Sequence, residues 1–261
     1  MFKKNIFTIL FIALGSVILL FIAGPLLKMI LAADFGLITD SLKDSEVQKA
    51  IWLTLRSAFW ASCLALVFGI PLAYLLARHN FWGRSVVEGL IDLPIVIPHT
   101  AAGIALLSVF GQRFFWGKIF SKVGLPVVGT EVGIVLAMAF VSMPFLINAA
   151  KDAFRLIDPN LENAARTLGA NQWQAFSKVS LPLAKKAIMS GFIMMWARGI
   201  SEFGAVVILA YHPMTAPVLI FERFESYGLT YARPVAVLLV LVCLLLFTVL
   251  RVQTRREALR L

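Results

Sequence analysis

An all-α integral membrane protein with six transmembrane helices is what this sequence predicts, and three observations carry the prediction. The 261 residues are 60% hydrophobic and only 15% charged, whereas soluble domains carry charge on about a quarter of their residues. Apolar runs recur at the length of about 20 residues that a helix needs to cross a hydrocarbon core about 30 Å thick, and the mean hydropathy is +0.88. Lys and Arg gather at the ends of those runs. The net charge of +10 is therefore a membrane-flanking pattern, and nucleic acid is excluded as a partner.

The first run, residues 6–31, follows Lys3 and Lys4. It exceeds the apolar core of a signal peptide, about 7 to 15 residues, and shows no small-residue cleavage site, so a retained anchor is expected. The second run, residues 51–77, is broken only by Arg56 and Pro71. The third, residues 91–110, opens on DLPIVIPHTAAG, where Pro94 and Pro98 are expected to prevent a regular helix. The fourth spans 132–150, the fifth 183–210 and the sixth 235–252.

Basic residues set the expected orientation. Lys3, Lys4, Arg78, Arg84, Lys151, Arg155, Arg166, Lys178, Lys185, Lys186, Arg251, Arg255, Arg256 and Arg260 all fall on one side if the spans number six. The other side mixes Lys43, Lys49, Arg113, Lys118, Lys122, Arg223 and Arg233 with acids. The denser set is expected in the cytoplasm, which puts both termini there and makes the 151–182 segment the largest cytoplasmic loop. No internal duplication is evident, which counts against carriers built from two inverted halves. Cys63 and Cys243 sit inside apolar runs and read as packing residues. His79, His99 and His212 are isolated, so neither a metal site nor a catalytic cluster is expected.

The polar loop reads as two short helices leading into the fifth span. Asp158 is a good N-cap, Pro159 suits the first turn and Gly169 supplies a left-handed stop, which predicts a helix over 159–168. Leu161, Ala164, Ala165 and Leu168 fall on one face of it. Asn171 caps a second piece carrying Trp173, Phe176 and Val179, and Pro182 opens the span. An interfacial helix and a helix docked in a protein groove both fit this pattern, and the small-residue face favours the groove.

NAARTLGANQWQAFSKVSLP resembles the cytoplasmic loop of permease subunits of ABC importers: Glu-Ala-Ala, three residues, Gly, nine residues, Ile, one residue, Leu-Pro. Ala164, Ala165, Gly169, Leu181 and Pro182 match at that spacing, and Val179 replaces the Ile. Asn163 stands at the usual Glu, with Glu162 just before it. The resemblance implies a type I importer permease whose loop docks on a separate ATP-binding subunit. No phosphate-binding GxxxxGK[ST] run occurs in the chain, so no cofactor is expected on it, and ATP and Mg belong to that partner.

The fifth run holds Arg198 and Glu202 four residues apart. Charges in a membrane helix are costly, so they are expected to face protein or water. A structural ion pair and a pathway or gate element fit equally well. Gly191, Gly199 and Gly204 add a close-packing surface. ARGISEFGAVV is similar to a segment of molybdate, tungstate and sulfate permeases. ARHNFWGRSVVEGLIDLPIVIPHTAAGIALL, which includes Asp92, Pro94, Pro98 and His99, resembles their second loop and third span. By itself, His99 beside a kink reads more readily as packed than as anion-binding. Glu88 and Asp92 make only a weak dyad.

The resemblance implies a multi-pass permease of the prokaryotic cell membrane that moves a tetrahedral oxyanion, molybdate or tungstate first and sulfate or thiosulfate second, by alternating access. It also implies a homodimer, two ATP-binding subunits and an extracytoplasmic substrate-binding protein. The expected division is an N-terminal helix and external loop over 1–48, the permease domain over 49–250 and a cytoplasmic basic tail over 251–261. The expected coupling residues are Glu162, Asn163, Ala164, Ala165, Gly169, Leu181 and Pro182. The expected path or gate residues are Asp92, Pro94, Pro98, His99, Arg198 and Glu202. The contrasting classes are an ATP-independent channel or carrier and, third, a membrane enzyme.

Overall fold

The computed structural model describes residues 6–258, with side chains through residue 250. Lys3, Lys4 and Arg260, and the side chains of Arg251, Arg255 and Arg256, lie outside the described residues. Every regular element among the described residues is helical: α1 Ile6–Leu31, α2 Phe35–Lys43, α3 Ser45–Arg78, α4 Arg84–Val96, α5 His99–Phe110, α6 Phe115–Lys122, α7 Glu131–Leu156, α8 Pro159–Thr167, α9 Gln172–Ala175, α10 Leu181–Ile200, α11 Gly204–Leu209, α12 Ala216–Tyr227 and α13 Leu229–Ala258. Four of these, α1, α3, α7 and α13, are long and apolar enough to cross a membrane, and the bent pair α4–α5 makes a fifth candidate.

The chain divides into two compact units. One comprises the residues up to Lys49 and those from Leu219 onward; the other is Ala50–Val218. In the first unit α1 buries none of its residues, as expected of a helix apolar on every face in lipid. Arg223 on α12 holds Asp44, at the start of α3, at 2.5 Å and Glu46 at 3.2 Å. Burial pushes the Asp44 carboxyl up, but the Arg223 hydrogen bond and charge and two backbone N–H groups outweigh it and hold it below the ordinary range.

In the second unit α7 is central, with Ile134, Met138, Leu146, Ile147 and Phe154 fully buried. α10 lies on it at close range. A Cβ on Gly191 would come within 2.7 Å of Ala149 Cβ, and one on Gly199 within 3.1 Å of Ala58 Cβ on α3. Lipid tails are as apolar as Leu, so such contacts gain by dispersion and close approach rather than by exclusion of water.

The third run breaks as its prolines predict, though at Pro98 and not at Pro94, and the fifth run differs from the sequence reading. The third run is bent by 116° between α4 and α5. Pro94 is accommodated and buried inside α4, and the break falls at Ile97 and Pro98, the latter the N-cap of α5. The fifth run is not one helix: α10 ends at Ile200 and the helix resumes at Gly204 as α11. Pro182 stands in the first turn of α10, as expected, although the backbone there runs on from the turn before it. A π-turn over Phe176–Ser180 joins α9 to α10, with the Leu181 N–H donating to the Phe176 carbonyl.

Candidate functional site

Two constellations in the Ala50–Val218 unit gather the predicted residues. The first is built on α8. The Asp158 side chain accepts the Asn160 N–H, Pro159 occupies the first turn, and Gly169 takes φ +93° just past the helix. These are the local signals that place the helix boundaries. Asn171 and Gln174 form a reciprocal capping box that starts α9.

Glu162 is the anchor of α8. Its Oε1 accepts from Arg78 Nε at 2.8 Å and Ser180 Oγ at 2.5 Å, and its Oε2 accepts from Tyr74 Oη at 2.7 Å. Arg78 also donates from Nη1 to the Ile157 carbonyl at 3.0 Å. One carboxylate thereby ties α8 to the end of α3 and to the π-turn that leads into α10. Burial pushes the Glu162 carboxyl up, but the Ser180, Tyr74 and Arg78 hydrogen bonds and the Arg78 charge outweigh it and hold it below the ordinary value. Beneath the knot, Tyr74 stacks edge-on against Phe154 at 5.4 Å and Phe176 at 4.8 Å.

The opposite face of α8 is open. Leu168 is 89% exposed and Leu161 48%, and Ala164 is exposed with Asn163 beside it. The Asn163 carbonyl accepts from Thr167 Oγ1 at 3.0 Å, a local contact within the helix. Successive helical residues point about 100° apart. A carboxylate at 162 therefore serves the inner side of the helix, not the side that Asn163 presents. Leu181 and Pro182 follow Ser180 at the start of α10.

The second constellation sits where α10 breaks. Glu202 is fully buried, and its Oε2 lies 3.0 Å from Arg198 Nη2 and 3.2 Å from His99 Nδ1. Its Oε1 accepts the Ala205 N–H at 3.0 Å, at the start of α11. Arg198 Nη2 is also 2.8 Å from His99 Nε2. The same Arg198 Nη2 is 3.0 Å from His99 Nδ1, so both ring nitrogens face the guanidinium. The approach is close because position 204 is glycine: a Cβ there would lie 2.8 Å from His99 Cβ. His99 thus joins Arg198 and Glu202, a grouping that the isolated histidine did not reveal. Asp92 is held elsewhere, by Asn148 Nδ2 at 2.6 Å on α7. Pro94 and Pro98 shape the backbone around the α4–α5 bend.

Tyr74, Arg78, Ser180 and Asn148 are site residues that sequence reasoning did not single out. Arg78 signalled only its side of the membrane, and the others carried no signal above background.

Residues 65–257 match the family described as binding-protein-dependent transport system inner membrane component. The chain is 46% identical over 244 residues to a molybdate/tungstate transport system permease protein of Thermococcus kodakarensis, covering 93% of this chain and 94% of that one. It is 34% identical over 253 residues to a sulfate transport system permease protein of Escherichia coli, covering 95% and 90%. Its fold matches, with a TM-score of 0.75 and 17% identity over 96% of this chain and 95% of the other, a bacterial alginate ABC transporter solved with an alginate pentasaccharide-bound periplasmic protein.

Proposed function

We propose that this chain, which belongs to the family of binding-protein-dependent transport system inner membrane components, is the multi-pass membrane permease of an ATP-driven importer for molybdate or tungstate. The cargo is inferred from the near full-length identity to a molybdate/tungstate permease. The observation that carries the mechanism is the Glu162 anchor. It makes α8 a lever fixed to α3 and α10 on its inner side and open along Leu161, Ala164 and Leu168 on its outer side.

In this reading the open face docks on a cytoplasmic ATP-binding subunit, whose closure moves α8. Arg78 and Ser180 pass the displacement to α3 and α10. α10 carries Arg198 to the broken segment, where His99 and Glu202 hold it across from α5. Moving α10 against α5 changes the partners of Arg198 and so alternates the access of an anion to its positive charge. The four long helices, the α4–α5 pair and the α10–α11 run make six passages, with both termini in the cytoplasm. Two copies of the permease, two ATP-binding subunits and an external binding protein complete the importer.

The test is uptake into proteoliposomes holding this chain with the ATP-binding subunit and oxyanion-binding protein of the same organism. Tungstate should accumulate only with ATP and resist competition by sulfate. Uptake without ATP would point to a channel or carrier. Strong competition by sulfate would favour the second reading, which the Escherichia coli relative supports.

A further inference from the structure

At the end of α7 that leads into α8, three cations converge on one carboxylate oxygen. Glu88 Oε1 on α4 lies 2.5 Å from Arg155 Nη2, 3.2 Å from Arg84 Nε and 3.9 Å from Lys151 Nζ. The Lys151 distance is too long for a hydrogen bond, yet Lys151 is only 7% exposed. Asp152, 3.8 Å from Arg155, is largely in solvent and a weaker partner than Glu88. Two carboxylates against three cations leave one positive charge in excess, and two once Glu88 is displaced. A buried ammonium so weakly engaged is a cost to folding. One turn further along α4, Asp92 is bonded to Asn148 and its negative charge limits the positive zone to this end of the helices.

We infer that Arg84, Lys151 and Arg155 form a transient station for an oxyanion, and that Glu88 is its built-in competitor. The charge left once Glu88 is displaced matches a tetrahedral dianion, so the inference rests on the proposed cargo. While Glu88 occupies the cations, an arriving dianion is held weakly and is released as the carboxylate returns. Glu88 thus keeps the station from becoming a trap. This is a demand on any transport path, because an anion bound tightly between stations does not leave.

The test is equilibrium binding of tungstate, molybdate, sulfate and phosphate to the purified full-length chain, with uptake measured on the reconstituted importer. Glu88→Gln should bind tungstate roughly tenfold or more tighter than the native chain and take it up more slowly. Adding Lys151→Met should erase the gain. A Glu88→Gln chain with native thermal stability and no gain for any of the four anions overturns the station, even if the native importer takes up tungstate. A gain for sulfate or phosphate, with no tungstate uptake by the native importer, keeps the station and removes the proposed cargo. Should Glu88→Gln not fold, Lys151→Met in the otherwise native chain decides: slower tungstate uptake supports the station, and unchanged uptake overturns it.

Discussion

Arg78 and Glu162, 84 residues apart in the chain, meet with Nε 2.8 Å from Oε1, and with Tyr74 and Ser180 they lock α8 to α3 and to the start of α10. Both side chains are nearly buried, at 9% and 13% exposure, so the contact is not a solvent-screened surface pair. It is the mechanical joint of the proposed importer.

Replacing Glu162 with Gln removes the charge while leaving a side chain of similar shape. Arg78 then loses its counter-ion in a nearly dry setting, at a cost of about 1 to 3 kcal/mol. Uptake by reconstituted transporter should fall at least several-fold while ATP hydrolysis continues. Parallel uptake and phosphate-release assays check this, and equal loss of both would show that α8 had unfolded rather than uncoupled.

The same joint carries a pH signature. The folded Glu162 carboxyl is held below its ordinary value of 4.5, so its stabilisation is fully present above about pH 4.5. It is lost as pH falls through the lowered folded value. The difference in melting temperature between the native chain and Glu162→Gln should therefore be constant from neutral pH to about 5 and shrink below 4.5. A difference that widens on acidification would contradict the assignment.

Gly169 stands at φ +93°, and a Cβ there would meet nothing within 4 Å. Its substitution by Val is penalised by the backbone alone, by about 1 to 2 kcal/mol. The end of α8 should shift, with ATP hydrolysis retained and oxyanion uptake lost. Normal uptake by Gly169→Val in vesicles would show that the exit angle of α8 is immaterial.

Arg198 and Glu202 separate packing from transport. Removing Arg198 alone, as Arg198→Met, leaves Glu202 buried without its guanidinium, with His99 Nδ1 3.2 Å away. This should destabilise the chain by about 3 to 5 kcal/mol. The double substitution Arg198→Met with Glu202→Met should restore most of the folded yield but not uptake. Recovery of uptake in the double variant would reduce the pair to a structural clasp.

Much of α8 was legible in the sequence because its signals are local. Asp158, Pro159 and Gly169 act within a turn of where they stand, and the observed helix ends one residue short of the expected stop. The functional orientation of the acidic residue was not legible. Asn163 occupies the position where related loops carry Glu, and only the location of Tyr74, Arg78 and Ser180 shows that Glu162 points inward. Likewise, Arg198 and Glu202 announced themselves by their charge in an apolar run, but His99 joined them only through the packing of α5 on α11 at Gly204.

The sequence by itself determined that the chain is helical and lipid-embedded, where its long apolar runs lie, and which loop carries the short helix α8. Run length, helix caps and flanking charge are properties of neighbouring residues, and the bilayer leaves an apolar run no alternative to a helix. Tertiary structure decided where the third and fifth runs break, which side of α8 is anchored, and which cations share Glu88. Those outcomes depend on contacts between residues far apart in the chain, set by how closely small residues let the helices approach, and no local pattern encodes them.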